Sequence, residues 1–219
     1  MSVSPPSFEL LFEDEDLLVL NKPSGLLSVP GRGPDKQDCL SARVQRHYPD
    51  ALVVHRLDRD TSGLLVMARG ITAQRALNQS FATRAVHKRY QALVEGCDQV
   101  DSVDAAWRII DLPIGLDWPN RPLHIVDAIH GKPSVSHWRV LQSDIEQNIS
   151  RLELEPFTGR THQLRVHLRA IGHPILGDSL YASAEGQARA DRLLLHACEL
   201  SVPHPVSGAV MSFVNAPPF

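Results

Sequence analysis

One polar turn between two apolar runs constrains the fold of this chain more than any other feature. The run Gly63-Leu64-Leu65-Val66-Met67-Ala68 is short, apolar and bounded by turn residues, and this pattern predicts a buried β-strand. The preceding turn is polar and carries Asp58. A loop held by a rigid strand is a common place for chemistry. On composition alone the favoured interpretation of Asp58 is a turn former whose carboxylate caps nearby amides, and a catalytic role is the alternative.

The rest of the chain predicts helices and hairpins in irregular succession. Helices are expected at residues 39–47, 72–82 and 161–170, and strands at residues 8–12, 17–20, 63–68, 90–94, 135–141, 149–155, 193–201 and 210–214. Residues 96–134 are expected to form an irregular, proline-punctuated insertion. In the last helix, Leu164 and Leu168 fall on the core side and Arg165 on the opposite side. This succession lacks the regular alternation of a doubly wound sheet and predicts an α+β fold.

Length and composition favour a single enzyme domain. The chain has 219 residues, and we expect a disordered lead over residues 1–7 followed by one catalytic domain over residues 8–219. No apolar run approaches the ~20 residues of a membrane span, and the N-terminus lacks the pattern of a signal peptide. We therefore expect a cytoplasmic protein with no membrane partner. Cys39, Cys97 and Cys198 are too few and too scattered for a disulfide framework or a zinc cluster.

The charge distribution favours an anionic partner more than the net charge does. The formal net charge of −3 argues against nucleic acid, but residues 55–90 hold seven basic residues against two acidic ones. A basic cleft on a mildly acidic body is one interpretation, and an ordinary solvated face is the other. The histidines do not indicate a metal site. His162 and His167 are five positions apart, about 140° around a helix, so they cannot both face one ion.

Four sequence motifs, in this order, resemble those of the RluA family of RNA pseudouridine synthases. The family's N-terminal segment is matched by NKPSGL at residues 21–26, its central signature by HRLDRDTSG at 55–63, its K-x-Y motif by KRY at 88–90, and its C-terminal motif by GRTHQLRVH at 159–167. The resemblance covers most of residues 8–200. It implies a large, mixed, mostly antiparallel sheet around a central catalytic cleft, and an isomerase that converts uridine to pseudouridine in RNA without a metal or organic cofactor.

The resemblance also assigns roles to individual residues. Asp58 is implied to be the catalytic carboxylate, which either attacks covalently or assists proton abstraction toward a glycal-type intermediate. Arg165 is implied to be its cationic partner, and Tyr90 to pack on the flipped uracil and accept a proton. Arg56 precedes Asp58 by two residues, and since guanidinium planes stack on bases, we expect it to fill the gap left by the flipped nucleotide.

Further basic residues are candidates for binding RNA. Arg84 and Lys88 lie in the basic segment and are expected to contact it. Lys22 and Arg160 either contact phosphates or brace the signature loop, and bracing is slightly favoured.

The motifs also bear on the substrate. Because the N-K-P motif begins at residue 21, we expect no N-terminal RNA-binding domain of the S4 type. The segment DWPNRP at residues 117–122 strengthens a resemblance to the compact branch of the family. That branch implies a monomer acting on stem-loops of both transfer RNA, in the anticodon loop, and large-subunit (23S) ribosomal RNA. The alternatives are a synthase acting on only one of these RNAs, a non-catalytic RNA-binding relative, and a nucleoside hydrolase with a second acid such as Asp60.

Overall fold

A computed structural model describes residues 8–97 and 106–219 of the chain. The strands are β1 (Glu9–Glu13), β2 (Leu17–Lys22), β3 (Ala51–Val53), β4 (Ser62–Arg69), β5 (His87–Glu95), β6 (Arg108–Asp111), β7 (Ile114–Leu116), β8 (His124–Val126), β9 (Val135–Asp144), β10 (Ile149–Pro156), β11 (Leu195–Pro203) and β12 (Val210–Val214). The α-helices are α1 (Leu40–Gln45), α2 (Gly70–Ala82), α3 (Gln163–Ala170) and α4 (Ala184–Ala188). The expected disordered lead at residues 1–7 lies outside the described residues.

The chain divides into two compact units. Among the described residues, unit 1 contains 8–88 and 196–218, and unit 2 contains 89–97, 106–195 and 219. A single catalytic domain over residues 8–219 stays a prediction. None of the helices in the part of the chain that the structure describes is both long and apolar enough to cross a membrane.

Unit 1 is built on strands in the order β1-β2-β4-β11, with β3 paired to β4 and β12 paired to β11. The predicted hairpin of β1 and β2 is confirmed, and β2 continues antiparallel along β4. The pairing of β4 with β11 is parallel, with Ser62 opposite His196 and Gly63 opposite Ala197. Gly63 has φ +111°, and a Cβ there would lie 2.3 Å from the carbonyl oxygen of Ala197. Only glycine fits this position, because both the backbone angle and the close approach exclude a side chain.

The core of unit 1 explains why its elements form where the sequence predicts them. The apolar residues of β2 and β4 are almost all buried, as expected for strands covered on both faces. Helix α2 packs Ala73 and Leu77 into this core, and half-buried Phe81 lies against it. Helix α1 begins after Cys39, whose sulfur accepts a hydrogen bond from the Ala42 amide at 3.4 Å. The helices predicted at 39–47 and 72–82 are therefore confirmed.

Unit 2 contains the antiparallel order β5-β10-β9-β6 and a separate two-stranded hairpin of β7 and β8. The predicted pairing of residues 135–141 with 149–155 is confirmed. The expectation that 96–134 is irregular is wrong over the described part, because β6, β7 and β8 lie there. Strands of three or four residues form through their pairing partners, and the local pattern carries little signal for them. Both units combine helices with mostly antiparallel strands, and the predicted α+β class is confirmed.

The one helix whose predicted orientation is wrong is α3. It was expected to bury one side and to expose Arg165, but six consecutive residues, Gln163–Leu168, are buried. Arg165 itself is only 2% exposed. An apolar period reveals only the apolar face of a helix, whereas α3 also buries polar side chains against polar partners.

Candidate active site

The loop that carries Asp58 belongs to unit 1 and lies between β3 and β4. Asp58 is half-buried, the preceding Leu57 is buried, and Arg56 is exposed. The exposure of Arg56 is compatible with stacking on a base, and that role stays a prediction.

Three side chains between residues 22 and 28, in and just after the N-K-P segment, hold this loop on both sides of Asp58. Lys22 is fully buried, and its ammonium donates to the carbonyl of Arg59 at 2.8 Å and also to the carbonyls of Pro23 and Leu26. Ser24 donates to the carbonyl of Asp60 at 2.7 Å. The Ser28 hydroxyl donates to the Leu57 carbonyl at 2.7 Å and accepts from the Leu57 amide at 3.1 Å. The structure therefore favours the bracing role of Lys22 over a phosphate contact, which a buried ammonium could make only by leaving these carbonyls.

His55, the first residue of the signature, is fixed and uncharged. Its Nε2 accepts a hydrogen bond from the Val66 amide at 3.0 Å, and its ring stacks on Phe81 with centroids 4.7 Å apart. Burial, together with the charge of Lys88, lowers the pKa of His55 to about 3. The neutral ring thus ties the start of the loop to β4 and α2, a role that the sequence analysis missed.

Another histidine, the buried His196 of β11, contacts the end of the signature. Its Nδ1 lies 2.8 Å from the Ser62 hydroxyl, and both side chains are buried. These two residues are 134 positions apart in the sequence. Local pattern carried no sign of this contact.

The remaining unit 1 candidates differ in their accessibility. Arg84 is exposed, follows the end of α2 and has φ 61°. Lys88 is half-buried, and burial lowers its pKa. Arg84 therefore offers the more accessible charge to a phosphate.

Tyr90 and Arg160 belong to unit 2. Tyr90 lies on β5 opposite Leu154 of β10 and is 9% exposed. Arg160 is exposed, with its Nε donating to the Pro133 carbonyl at 3.3 Å and its backbone amide donating to Gln163 at 3.0 Å. The bond to Pro133 lies outside the signature loop, so it is not the predicted bracing of that loop. The guanidinium of Arg160 is exposed, and a phosphate contact stays a prediction.

Arg165, also in unit 2, forms a bidentate ion pair with Asp178. Its Nε and Nη2 donate to the two carboxylate oxygens at 2.8 and 2.6 Å, and Asp178 is fully buried. Asp178 also accepts from the backbone amides of Leu180 and Tyr181, at 2.9 and 3.1 Å. A guanidinium held in this way has a fixed plane and a permanent charge. Asp178 lies 13 residues away from Arg165 in a loop, and no motif or periodicity in the sequence points to it.

Asp14, Asp16 and His204 form a group of possible metal ligands among the described residues. His204 Nδ1 accepts from the amides of Val206 and Ser207, at 3.3 and 3.1 Å. The ring proton therefore sits on Nε2, which lies 3.1 Å from the Asp14 carboxylate. The donor set does not suit a metal, because the nitrogen that faces the carboxylates carries a proton.

Comparison with known proteins identifies the class of protein to which this chain belongs. Residues 16–170 match the sequence model of the family described as "RNA pseudouridylate synthase", and the chain belongs to this family. The described fold agrees: the structure of human RNA pseudouridylate synthase domain containing 1 superimposes with a TM-score of 0.79 at 29% identity, covering 100% of this chain and 87% of that one. The structure of human RNA pseudouridylate synthase domain containing 4 superimposes with a TM-score of 0.75 at 25% identity, covering 96% of this chain and 88% of that one.

Two bacterial relatives narrow the comparison. The chain is 48% identical over 205 residues to the dual-specificity RNA pseudouridine synthase RluA of Vibrio vulnificus, covering 92% of this chain and 80% of the relative. It is 47% identical over 208 residues to the protein of the same description from Escherichia coli K12, covering 95% and 92%. The predicted RluA-family membership and isomerase activity on RNA are confirmed.

Proposed function

We propose that this enzyme converts uridine to pseudouridine in two kinds of RNA, the anticodon stem-loop of transfer RNA and a stem-loop of 23S ribosomal RNA. The description of the bacterial relatives as dual-specificity enzymes supports the breadth. The observation that carries the chemistry is the bracing of the Asp58 loop, whose backbone is held immediately before and after the carboxylate. Enzymes place reacting groups on loops that a second set of contacts holds still.

The proposed reaction is a redox-neutral isomerisation. The N-glycosidic bond of uridine breaks, the uracil rotates while it stays bound, and a carbon–carbon bond to the ribose forms. Asp58 supplies the carboxylate, either as a nucleophile or as the base that removes a ribose proton. Tyr90 packs on the uracil and accepts the proton that the newly linked carbon must lose. No metal or organic cofactor is needed for these steps.

The other candidate residues supply positive charge to the carboxylate and to the phosphates, or fill the space that the flipped nucleotide leaves. Arg165 is proposed as the cation that serves the Asp58 carboxylate, and its fixation by Asp178 supports a positioned charge. Arg56 fills the stack that the flipped nucleotide leaves, and Arg84, Lys88 and Arg160 attract phosphates. We further propose that the enzyme acts as a monomer in the cytoplasm.

The test uses the purified chain and two isolated RNA stem-loops labelled with tritium at uracil C5. Wild type is expected to release tritium from both RNAs without liberating free uracil. Asp58→Asn is expected to bind RNA with unchanged affinity and to lose turnover, whereas Asp60→Asn, the matched control, keeps turnover. Release of free uracil would indicate a hydrolase, and activity on one RNA alone would refute the dual specificity. Turnover of Asp58→Asn within tenfold of wild type would refute the assignment of the carboxylate.

A further inference from the structure

Tyr181 is a buried side chain of unit 2 that joins the hairpin of β7 and β8 to the helix that carries Arg165. It is 4% exposed and packs in a small core with Ile114 of β7 and Val166 of α3. Half-buried Leu123, at the end of the loop between β7 and β8, lies against the same core. The two ends of the Tyr181 side chain contact different parts of the unit.

The ring of Tyr181 lies against Arg165. The guanidinium carbon of Arg165 is 5.0 Å from the ring centroid, within the range of a cation–π contact. The backbone amide of Tyr181 donates to Asp178, the same carboxylate that holds Arg165 in its bidentate pair. Arg165 is thus held by a bidentate carboxylate and by an aromatic ring whose centroid lies 5.0 Å from its guanidinium carbon.

The hydroxyl of Tyr181 contacts the other two elements. It accepts a hydrogen bond from the backbone amide of His124, the first residue of β8, at 2.9 Å. It also lies within hydrogen-bond distance of Nδ1 of His162, at 2.7 Å. His162 precedes the first residue of α3 and has φ 55°, a left-handed conformation that is costly for a non-glycine residue. One hydroxyl therefore holds both the start of β8 and the start of α3.

The loop between β7 and β8 presents a surface that suits a nucleobase. Trp118 is 66% exposed, and the guanidinium of Arg121 lies 4.6 Å from its ring centroid. Exposed indole rings and arginine planes are the side chains on which unpaired bases stack. This loop ends one residue before His124, whose amide Tyr181 holds.

We propose that Tyr181 is a positioning residue that couples RNA contact at the β7–β8 loop to the placement of Arg165, an inference that rests on the proposed function. Its hydroxyl sets the position of the loop and so affects RNA binding, whereas Arg165 keeps its contacts with Asp178 and with the ring when the hydroxyl is absent. Its ring sets the plane of Arg165 and so affects the chemical step. The two halves of one side chain therefore act on different kinetic constants.

Two substitutions separate the role of the Tyr181 hydroxyl from the role of its ring. Tyr181→Phe keeps the ring and removes the hydroxyl, and it is expected to raise KM for an RNA stem-loop about fivefold, the value of one hydrogen bond, with kcat within about twofold of wild type. Tyr181→Leu removes the ring as well, and it is expected to lower kcat by at least about tenfold in addition. In a Trp118→Ala background, Tyr181→Phe is expected to leave KM unchanged, because both changes act through the same loop.

Tyr48 of unit 1 provides the matched control. Its hydroxyl donates to Glu13, and the guanidinium of Arg69 lies 5.4 Å from its ring centroid, so its chemistry parallels that of Tyr181. Tyr48→Phe and Tyr48→Leu are expected to leave kcat and KM unchanged.

The outcomes separate this inference from the proposed function. If wild type converts neither RNA, the proposed function fails. If wild type is active and Tyr181→Phe changes kcat and KM by equal factors, or changes neither, the inference alone is overturned. Additive effects of Tyr181→Phe and Trp118→Ala on KM would also overturn it. The phenylalanine variant conserves the packed volume, so it decides the question even if the leucine variant fails to fold.

Discussion

The replacement Lys22→Met tests whether the buried ammonium braces the Asp58 loop. The change keeps an unbranched side chain and removes three hydrogen bonds of 2.8 Å to backbone carbonyls. Each partly buried carbonyl that loses its donor costs about 1 kcal/mol, the low end of the usual range, because the group keeps some access to water and the variant no longer buries a charge. We therefore expect the free energy of unfolding to fall by about 3 kcal/mol, measured as a shift of the urea midpoint. Turnover is expected to fall at least tenfold, because the carbonyl of Arg59 adjoins Asp58 and loses its anchor.

The same variant decides between bracing and a phosphate contact. A lysine that neutralises one phosphate contributes about one unit to the slope of log affinity against log salt, whereas a bracing lysine contributes none. We expect the slope for Lys22→Met to equal that of wild type. Lys36→Met, at an exposed lysine of the same unit, is the control and is expected to change neither stability nor turnover. A stability loss no larger than that of the control, or a slope lower by one unit, would refute the bracing argument.

Three further changes test other parts of unit 1 and of the reaction. Tyr90→Phe is expected to preserve RNA affinity within about twofold and to stall after glycosidic cleavage, because stacking survives and proton acceptance does not; a block before cleavage would contradict this role. Arg84→Glu is expected to weaken RNA binding about tenfold in a filter-binding assay and to lower its salt slope, whereas Glu15→Lys, at an exposed acidic residue, leaves both unchanged. For His55, burial and the charge of Lys88 depress the folded pKa to about 3 from an ordinary 6.5, so the unfolded chain takes up the proton first as pH falls. The wild-type free energy of unfolding should therefore fall by about 1 kcal/mol for each pH unit below that ordinary value, and a His55→Gln variant with the same slope would show that His55 is not responsible.

Local pattern was sufficient for the elements whose burial follows a regular period. The apolar run of β4, the helical spacing of α2 and the alternation in β9 and β10 each reflect which side chains are covered, so the sequence predicted them. The short strands β7 and β8 follow no such period. They form because each pairs with the other. A sequence window of three residues carries no information about that pairing.

The residues of the candidate site likewise divide into those that local sequence indicates and those that only the folded structure reveals. The motifs indicate Asp58 and the segment at residues 21–26 that contains Lys22, because these residues lie in contiguous stretches of sequence. Asp178 and His196 were missed because each is defined by its contact with a residue elsewhere in the chain, at Arg165 and Ser62. Arg165 was expected on the exposed side of its helix because an apolar period cannot foresee a buried carboxylate partner.

The parallel pairing of Ser62 and Gly63 with His196 and Ala197 has a consequence for when the sheet of unit 1 is completed during synthesis. The strand that directly follows the Asp58 loop is completed by residues synthesised 134 positions later. Closing a loop of that length costs about 4 kcal/mol of chain entropy, and this cost is met only once β11 can pack beside β4. A nascent chain in which Asp58 has emerged from the ribosome therefore still lacks β11, the strand that pairs with β4. The sheet that follows the Asp58 loop is therefore completed only after almost the whole of unit 2 has been synthesised.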